Sequence, residues 1–497
     1  MLHTYQWFRE QLLEPIHAMR VAYVPFLMVY FAYGLTGITA VAGTFWTKEV
    51  LHFTPAQLAL AGFWAGIPWT LKMLFGQCVD ARPIFGSPRR AYIFAGASLV
   101  TLGYLMLAGL AGAWGPVMKL GEPINIYFIA AVVMAVGLVM QDVTADALTS
   151  ELNTGDERDA RSIQALGRIA LMTGGVVGAL FAGHIAENFS YQNIYLIACV
   201  VPLMSIAGAL WLKQNAVKRC SWNMPILLGG FGFALFVILV SASSLPAKAE
   251  IVFVGNVLAI GIFLFLLGRT LSWTEACTLL ATGIVVFIFR AMPSAGAGVS
   301  WWQIEVLGFD RAFLGRLQLV GSLFGLCGLF LAARSLRNQS VTKVLVIVTI
   351  VGTILSLPTL AMYYGLHHYT EQHFGFGARS IALVDSAVSA PFGQLAMVPM
   401  LALIAVVARR GSPATWFALS ASFMNLPLAT ADLATAWMNE IWVVTQATRG
   451  PSGEIIPGDF KELGTLLWVS IGMGLVLPLL SIALLRKYLV KTIAPSP

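Results

Sequence analysis

Two aspartates four residues apart, Asp142 and Asp146, lie at the end of a long apolar run, in the stretch G-L-V-M-Q-D-V-T-A-D-A-L-T-S-E from Gly137 to Glu151. A spacing of four puts both carboxylates on one face of a helix. A carboxylate in hydrocarbon costs about 2.5–3.5 kcal/mol even on the lenient insertion scale, so a chain that keeps two of them needs cationic partners or a polar cavity. Lys72, inside another apolar run, either pairs with Asp142 or Asp146 or snorkels to the membrane surface. Arg168, Arg290, Arg316, Asp385 and Asp432 are further charges within apolar runs. They read either as structural ion pairs that lock helices together or as the lining of a cavity with both signs of charge. A carboxylate facing such a cavity can exchange a proton, whereas one locked to Arg168 stays ionised. The sequence leaves both open.

These residues need a scaffold of membrane helices. Of the 497 residues, 58% are hydrophobic and only 11% charged, about half the charge of a soluble domain. Apolar spans of at least ~20 residues, enough to cross a bilayer, fall near 20–44, 55–78, 90–113, 123–150, 160–187 and 190–212, then 224–245 and 249–270, then 274–292, 311–334, 341–364, 380–408, 414–438 and 463–488. The expected class is an all-α polytopic membrane protein of about fourteen helices. Residues 1–19, carrying Trp7 and Phe8, form an N-terminal segment, 20–212 a six-helix bundle, 213–273 a linker with an inserted two-helix hairpin, 274–488 a second six-helix bundle and 489–497 a tail. Two such halves around a linker are the plan of the major facilitator fold. The hairpin, without an ionisable residue at mid-span, is expected on the outside of the bundle.

The net charge of +7 is spread in short clusters between spans, which argues against a nucleic-acid partner. Most of the 30 Lys and Arg fall on one side, including the linker Lys213 to Arg219, and this bias places both termini in the cytoplasm. The short N-terminus lacks a cleavable signal or transit peptide, so a bacterial inner (plasma) membrane is expected. The five cysteines are scattered and imply neither disulfides nor a metal framework. No phosphate-binding loop or nucleophile–histidine spacing occurs, so no enzyme activity and no cofactor are expected. His367, His368 and His373 read as a solvated loop, not a metal site, and Trp301–Trp302 as an interfacial aromatic belt.

Gly76 to Arg90 reads G-Q-C-V-D-A-R-P-I-F-G-S-P-R-R. Gly76 lets two helices approach, Asp80 ends a helix, and Arg89 and Arg90 follow a tight turn. This resembles the loop between the second and third helices of major facilitator transporters, where the resemblance implies a cytoplasmic gate latch. The simpler reading is a positive-inside anchor. With Pro68-Trp69-Thr70 before Lys72, Asp142-Val143 and Asp146-Ala147-Leu148 followed by Gln164, Gly167 and Arg168, the sequence is similar to the folate–biopterin transporter family. Phe289-Arg290, Pro293-Ser294, Leu307-Gly308-Phe309, Phe313-Leu314-Gly315-Arg316-Leu317, Asp385 and Gly393-Gln394 extend the likeness through the second half.

The resemblance implies a monomeric secondary transporter, in contact with the lipid bilayer, that moves a pterin or folate by alternating access and proton symport. Lys72, Asp142, Asp146, Arg168, Arg290, Arg316, Asp385 and Gln394 are its expected substrate-binding residues, and Gly76, Asp80, Arg89 and Arg90 its gating residues. An aspartate of the first half suits the N–H edge of a pterin, Arg290 or Arg316 the carboxylates of a glutamate tail, and an aromatic face the ring. The alternatives are a transporter for another amphipathic metabolite, a non-transporting assembly factor on the same fold and a metal-dependent membrane enzyme.

Overall fold

The computed structural model describes residues 14–17, 19–84, 86–87, 89–152, 157–212, 222–268, 272–335, 341–408, 413–449, 452 and 454–489. The N-terminal stretch 1–13 with Trp7 and Phe8, the basic linker Lys213 to Arg219, the tail 490–497 and the side chain of Gln394 lie outside the described residues.

The chain is built of helices. In order, α1 is Val21–Glu49, α2 Pro55–Ala81, α3 Arg90–Ala111, α4 Pro123–Leu152, α5 Glu157–Asn188, α6 Tyr191–Leu210, α7 Met224–Ala242 and α8 Lys248–Gly268. Then follow α9 (Trp273–Arg290), the short α10 (Gly298–Glu305), α11 (Arg311–Ser335), α12 (Val341–Tyr363), the short α13 (Leu366–Phe374), α14 (Ala378–Ala408), α15 (Pro413–Ile441) and α16 (Leu463–Leu485). Before α16, β1 (Thr448–Arg449) pairs antiparallel with β2 (Ile455–Ile456). Among the described residues, 10 helices are long and apolar enough to cross a membrane, namely α1 to α7, α9, α12 and α16. The helices α8, α11, α14 and α15, 21 to 31 residues long, lie where the sequence predicts further spans.

Local chemistry sets the ends that matter. At the start of α2, Thr54 accepts from the Gln57 amide at 3.2 Å and Gln57 accepts from the Thr54 amide at 2.8 Å, a capping box with Pro55 at the first helical position. Pro68 lies inside α2, and three residues later Leu71 leaves helical geometry at φ −92°, ψ 12°. Lys72 is the first residue of the segment after that break. Ser272 and Glu275 form a second capping box at the start of α9.

The halves meet along two antiparallel helix pairs. On α15, the side chains of Ser422 and Asn425 bond the Met73 amide (3.1 Å) and the Trp69 carbonyl (3.2 Å) of α2. Further along the same pair, Ala429 lies beside Gly66 and Asp432 beside Gly62. The second pair is α5 with α11. Gly183 and Gly315 bring the two backbones together, so that a Cβ on Gly183 would lie 3.0 Å from the Gly315 Cα; small residues at the crossing permit this approach. The α7–α8 hairpin covers the α2–α15 seam, with Phe233 and Val252 against Phe63, Ile67, Ala429 and Leu433. The buried Asn256 donates to the Thr70 hydroxyl at 3.1 Å. Leu228, Phe231, Leu235, Leu258 and Ile262 of the hairpin stay exposed, an apolar outer face suited to lipid.

Two sequence expectations change. Trp301 and Trp302 do not form an interfacial belt: they are 1% and 3% exposed and belong to α10. The chain after α9 turns back into the fold at Gly296, whose φ of +78° favours glycine, and the Ser294 amide is held by the Thr435 hydroxyl at 3.0 Å. A Ser/Gly/Ala-rich stretch therefore leads into a buried two-turn helix. The histidine segment, read as a loop, is the helix α13, bounded by Gly365 (φ +90°) and Gly375 (φ +73°). No group of three or more metal-capable side chains occurs among the described residues.

Gly183→Val should force α5 and α11 apart and cost about 1–3 kcal/mol by overpacking. Gly472→Ala, at a glycine with nothing within 4 Å of an added Cβ, should leave stability unchanged or slightly raised. Thermal unfolding of the two variants in one detergent checks the contrast, and equal midpoints would contradict the close approach.

Candidate functional site

Asp142 and Asp146 lie one turn apart on α4, and the break in α2 brings Lys72 up to them. The Lys72 ammonium lies 2.5 Å from Asp142 Oδ2 and 2.9 Å from Asp146 Oδ2. Tyr30 of α1 donates to the other oxygen of Asp146 at 2.7 Å. The side chains are only 15% (Lys72), 12% (Asp142) and 24% (Asp146) exposed, so the lysine bonds inside the bundle instead of snorkelling out. One ammonium is thus shared by two carboxyl groups. Arg168 of α5 lies within electrostatic range of Asp142 and Tyr30, and its side chain is exposed. Tyr33, one turn after Tyr30, stacks on Trp69 with ring centroids 5.8 Å apart and planes at 21°.

At the basic end of the first half, Arg89 gathers three elements. It donates to Asp80 at 3.0 Å, to Glu151 at 2.5 and 2.9 Å and to the Val79 carbonyl at 2.8 Å. Arg90 instead bonds the carbonyls of Ala209, Leu210 and Leu212, at 3.0, 3.1 and 2.5 Å, where a cation complements the helix dipole of α6. An added Cβ on Gly76 would lie 3.7 Å from Val143, so α2 and α4 run close there. These bonds all lie within the first half. Glu151 was not singled out from sequence, although its place at the acidic end of the α4 stretch was a usable signal.

The opposite end carries ion pairs that cross between the halves. Lys48 of α1 bonds Glu305 of α10 at 2.7 Å, with side chains 7% and 15% exposed. Glu305 also accepts from the Ala447 amide at 2.9 Å. Arg311 at the start of α11 bonds Glu49 at 3.0 Å, the Tyr191 hydroxyl at 2.9 Å and the Ala186 carbonyl at 3.2 Å. Beside it, Asp310 accepts from the Phe313 amide at 2.7 Å and from Arg379 at 2.8 Å. The backbone bond first and the guanidinium second hold its carboxyl below the usual carboxylate range.

The second half carries three more of the expected site charges. Arg290 is the last residue of α9 and half-buried. Arg316 is exposed on α11, within electrostatic range of Asp310. Asp385 on α14 accepts from Ser389 at 3.1 Å.

Two cavities flank α10. The first, about 500 Å³, is lined on the first half by Tyr33, Thr44, Trp69 and Tyr104 and on the second by Ala297, Ser300 and Trp301. Tyr33 also borders a small recess that reaches Asp142. The second cavity, about 620 Å³, lies within the second half and is lined by Phe289, Ser294, Thr349, Thr353, Ser389 and Phe392. Gly296 and Val299 face this cavity, so the link and α10 form a wall between the two. Sequence reasoning missed the aromatic lining, because tyrosines and tryptophans at helical spacing read as ordinary core.

The BT1 family model matches residues 33–494. A folate-biopterin transporter of Synechocystis sp. is 27% identical over 418 residues, 83% of this chain and 74% of that protein. Folate transporter 2 of Plasmodium falciparum is 23% identical, over 79% of this chain and 75% of its own length. In three dimensions the chain is similar to a POT family transporter in complex with a thioalcohol-conjugated peptide, with a TM-score of 0.64 at 13% identity over 94% of this chain and 95% of that one. The D-xylose–proton symporter superposes with a TM-score of 0.61 at 13% identity, over 94% and 97% of the two chains. At that identity the likeness establishes the fold, that of the major facilitator transporters.

Lys72→Met should leave two half-buried carboxylates without a counter-charge and cost about 3–5 kcal/mol. Adding Asp142→Asn and Asp146→Asn to it should restore most of the loss. Thermal unfolding of the single and triple variants measures this, and additive losses would show that the three groups do not act as a unit.

Proposed function

The chain belongs to the BT1 family, and from that premise we propose that it is a secondary transporter, not an enzyme, that moves a pterin or folate across a membrane by alternating access with proton symport. The relatives named as folate-biopterin and folate transporters support the substrate class. The observation that carries a role for this chain's own residues is Lys72 held between Asp142 and Asp146 inside the bundle. When the ammonium shifts towards one carboxylate, the other loses its counter-charge in a low-dielectric site and takes up a proton. A lysine that serves two aspartates can thus tie a proton to a change of shape.

We read the chain as fourteen spans, two six-helix bundles at 20–212 and 274–488 with the α7–α8 hairpin inserted between them. Both termini are cytoplasmic, the chain acts as a monomer, and the membrane is a bacterial inner membrane. On this reading the end bearing Arg89 faces the cytoplasm. The bonds of Lys48 to Glu305 and of Arg311 to Glu49 close the outer end, while Arg89, Asp80 and Glu151 remain within one half. That combination fits an inward-facing arrangement, and opening outward requires the outer pairs to break. Arg290 or Arg316 receives the carboxylates of a glutamate tail, with Arg168 and Asp385 adding polar groups. Gly76, Asp80, Arg89 and Arg90 make up the inner gate.

The test is uptake of labelled folate and biopterin into cells that lack their own route. The protein should confer uptake of at least one, and collapsing the proton gradient or introducing Asp142→Asn should abolish it while the protein stays in the membrane. Uptake indifferent to the gradient would rule out the coupling. No uptake of either compound would rule out the substrate class.

A further inference from the structure

The carboxylates of the first half are poorly placed to receive a ring. Both oxygens of Asp146 are engaged, one by Tyr30 and one by Lys72, and Lys72 takes one oxygen of Asp142. A flat ligand edge with two adjacent N–H groups therefore finds no free carboxylate pair there.

The cavity next to this cluster offers a different kind of site. Its volume of about 500 Å³ is in the range of small-molecule pockets, and among the described residues no charged side chain lines it. The stacked pair Tyr33–Trp69 supplies an aromatic wall from the first half, and Ala297 and Ser300 close the space from the second. Thr44 lines the same space and donates its hydroxyl hydrogen to its own helix, to the Ala40 carbonyl at 3.1 Å. Its oxygen keeps a lone pair to accept from a ligand.

We propose that this chamber binds an uncharged, flat heteroaromatic ring with N–H donors on its edge, packed against the half-buried Tyr33–Trp69 pair and read by Thr44. A charged ligand would lose its hydration without a partner, so the chamber selects a neutral ring and any anionic tail lies outside it. The choice of a pterin as the first probe rests on the transport reading above; the chemistry of the chamber does not. Ser300, which closes the chamber from the second half, shares α10 with Glu305, whose bond to Lys48 ties that helix to the first half. The ring site is therefore complete only while the outer end is closed.

The test is equilibrium dialysis of biopterin and of guanine, a second neutral ring with N–H donors, against the purified full chain in nanodiscs. Thr44→Val keeps the shape and removes the acceptor; Trp69→Leu removes part of the stacking wall. Each should weaken ring binding about three- to tenfold, the loss of one hydrogen bond or of part of a stacking surface, and Thr44→Val should leave the thermal midpoint without ligand unchanged. Biopterin binding that neither variant weakens would overturn the chamber and leave the pterin reading standing. Guanine binding weakened by both variants, with no biopterin binding, would support the chamber and overturn the pterin reading. Binding of neither ring to the folded protein would overturn both.

Discussion

One ammonium between two carboxylates constrains the first half of this molecule. Lys72, Asp142 and Asp146 come from two helices that would each be costly to insert with an unpaired charge. Their meeting fixes the register of α2 against α4 and draws in α1 through Tyr30. It needs the break at Leu71, because a helix running straight on from Pro68 would direct Lys72 elsewhere. A buried ion cluster is weak evidence of stability, since neutral residues of similar shape often do as well. Retaining one inside a membrane bundle therefore points to work that neutral residues cannot do.

The rest of the architecture places that cluster beside a space that both halves shape. The α2–α15 and α5–α11 pairs join the halves along their length, and the ion pairs at Lys48–Glu305 and Glu49–Arg311 bridge one end. Between them α10 does three things at once. It ends in Glu305, it brings Trp301 to the aromatic cavity, and it divides that cavity from the one in the second half. Any motion that separates the halves at the far end must move Trp301 as well.

Much of this was legible in the sequence where it rests on helix periodicity and on charges in apolar runs. Asp142, Asp146 and Lys72 stood out because their chemistry conflicts with their surroundings, and the ten long apolar helices followed from length and hydropathy. The family resemblance was carried by short motifs in both halves, and the family match over 33–494 bears it out. Whether Lys72 snorkelled or paired was not legible, because both outcomes suit a lysine in the same half of a span; the break at Leu71 decided it. The Lys48–Glu305 pair joins residues far apart in sequence, at the ends of short elements, where no periodicity announces a partner. Trp301 was misplaced because a Gly/Ser/Ala-rich run looks like a surface link, and only the positive φ of Gly296 shows that the chain turns inward. Aromatic cavity walls stayed hidden for a related reason: a tyrosine facing a cavity and one facing the core have the same spacing.

The central claim is that the Lys72 cluster works as charge and not merely as packing. The most direct measurement is biopterin and folate uptake by the triple variant Lys72→Met, Asp142→Asn, Asp146→Asn, with its amount in the membrane and its thermal stability measured alongside. The account predicts a folded, membrane-inserted protein that transports neither compound. Transport by this charge-free variant at the wild-type rate would contradict it and reduce the cluster to a structural lock.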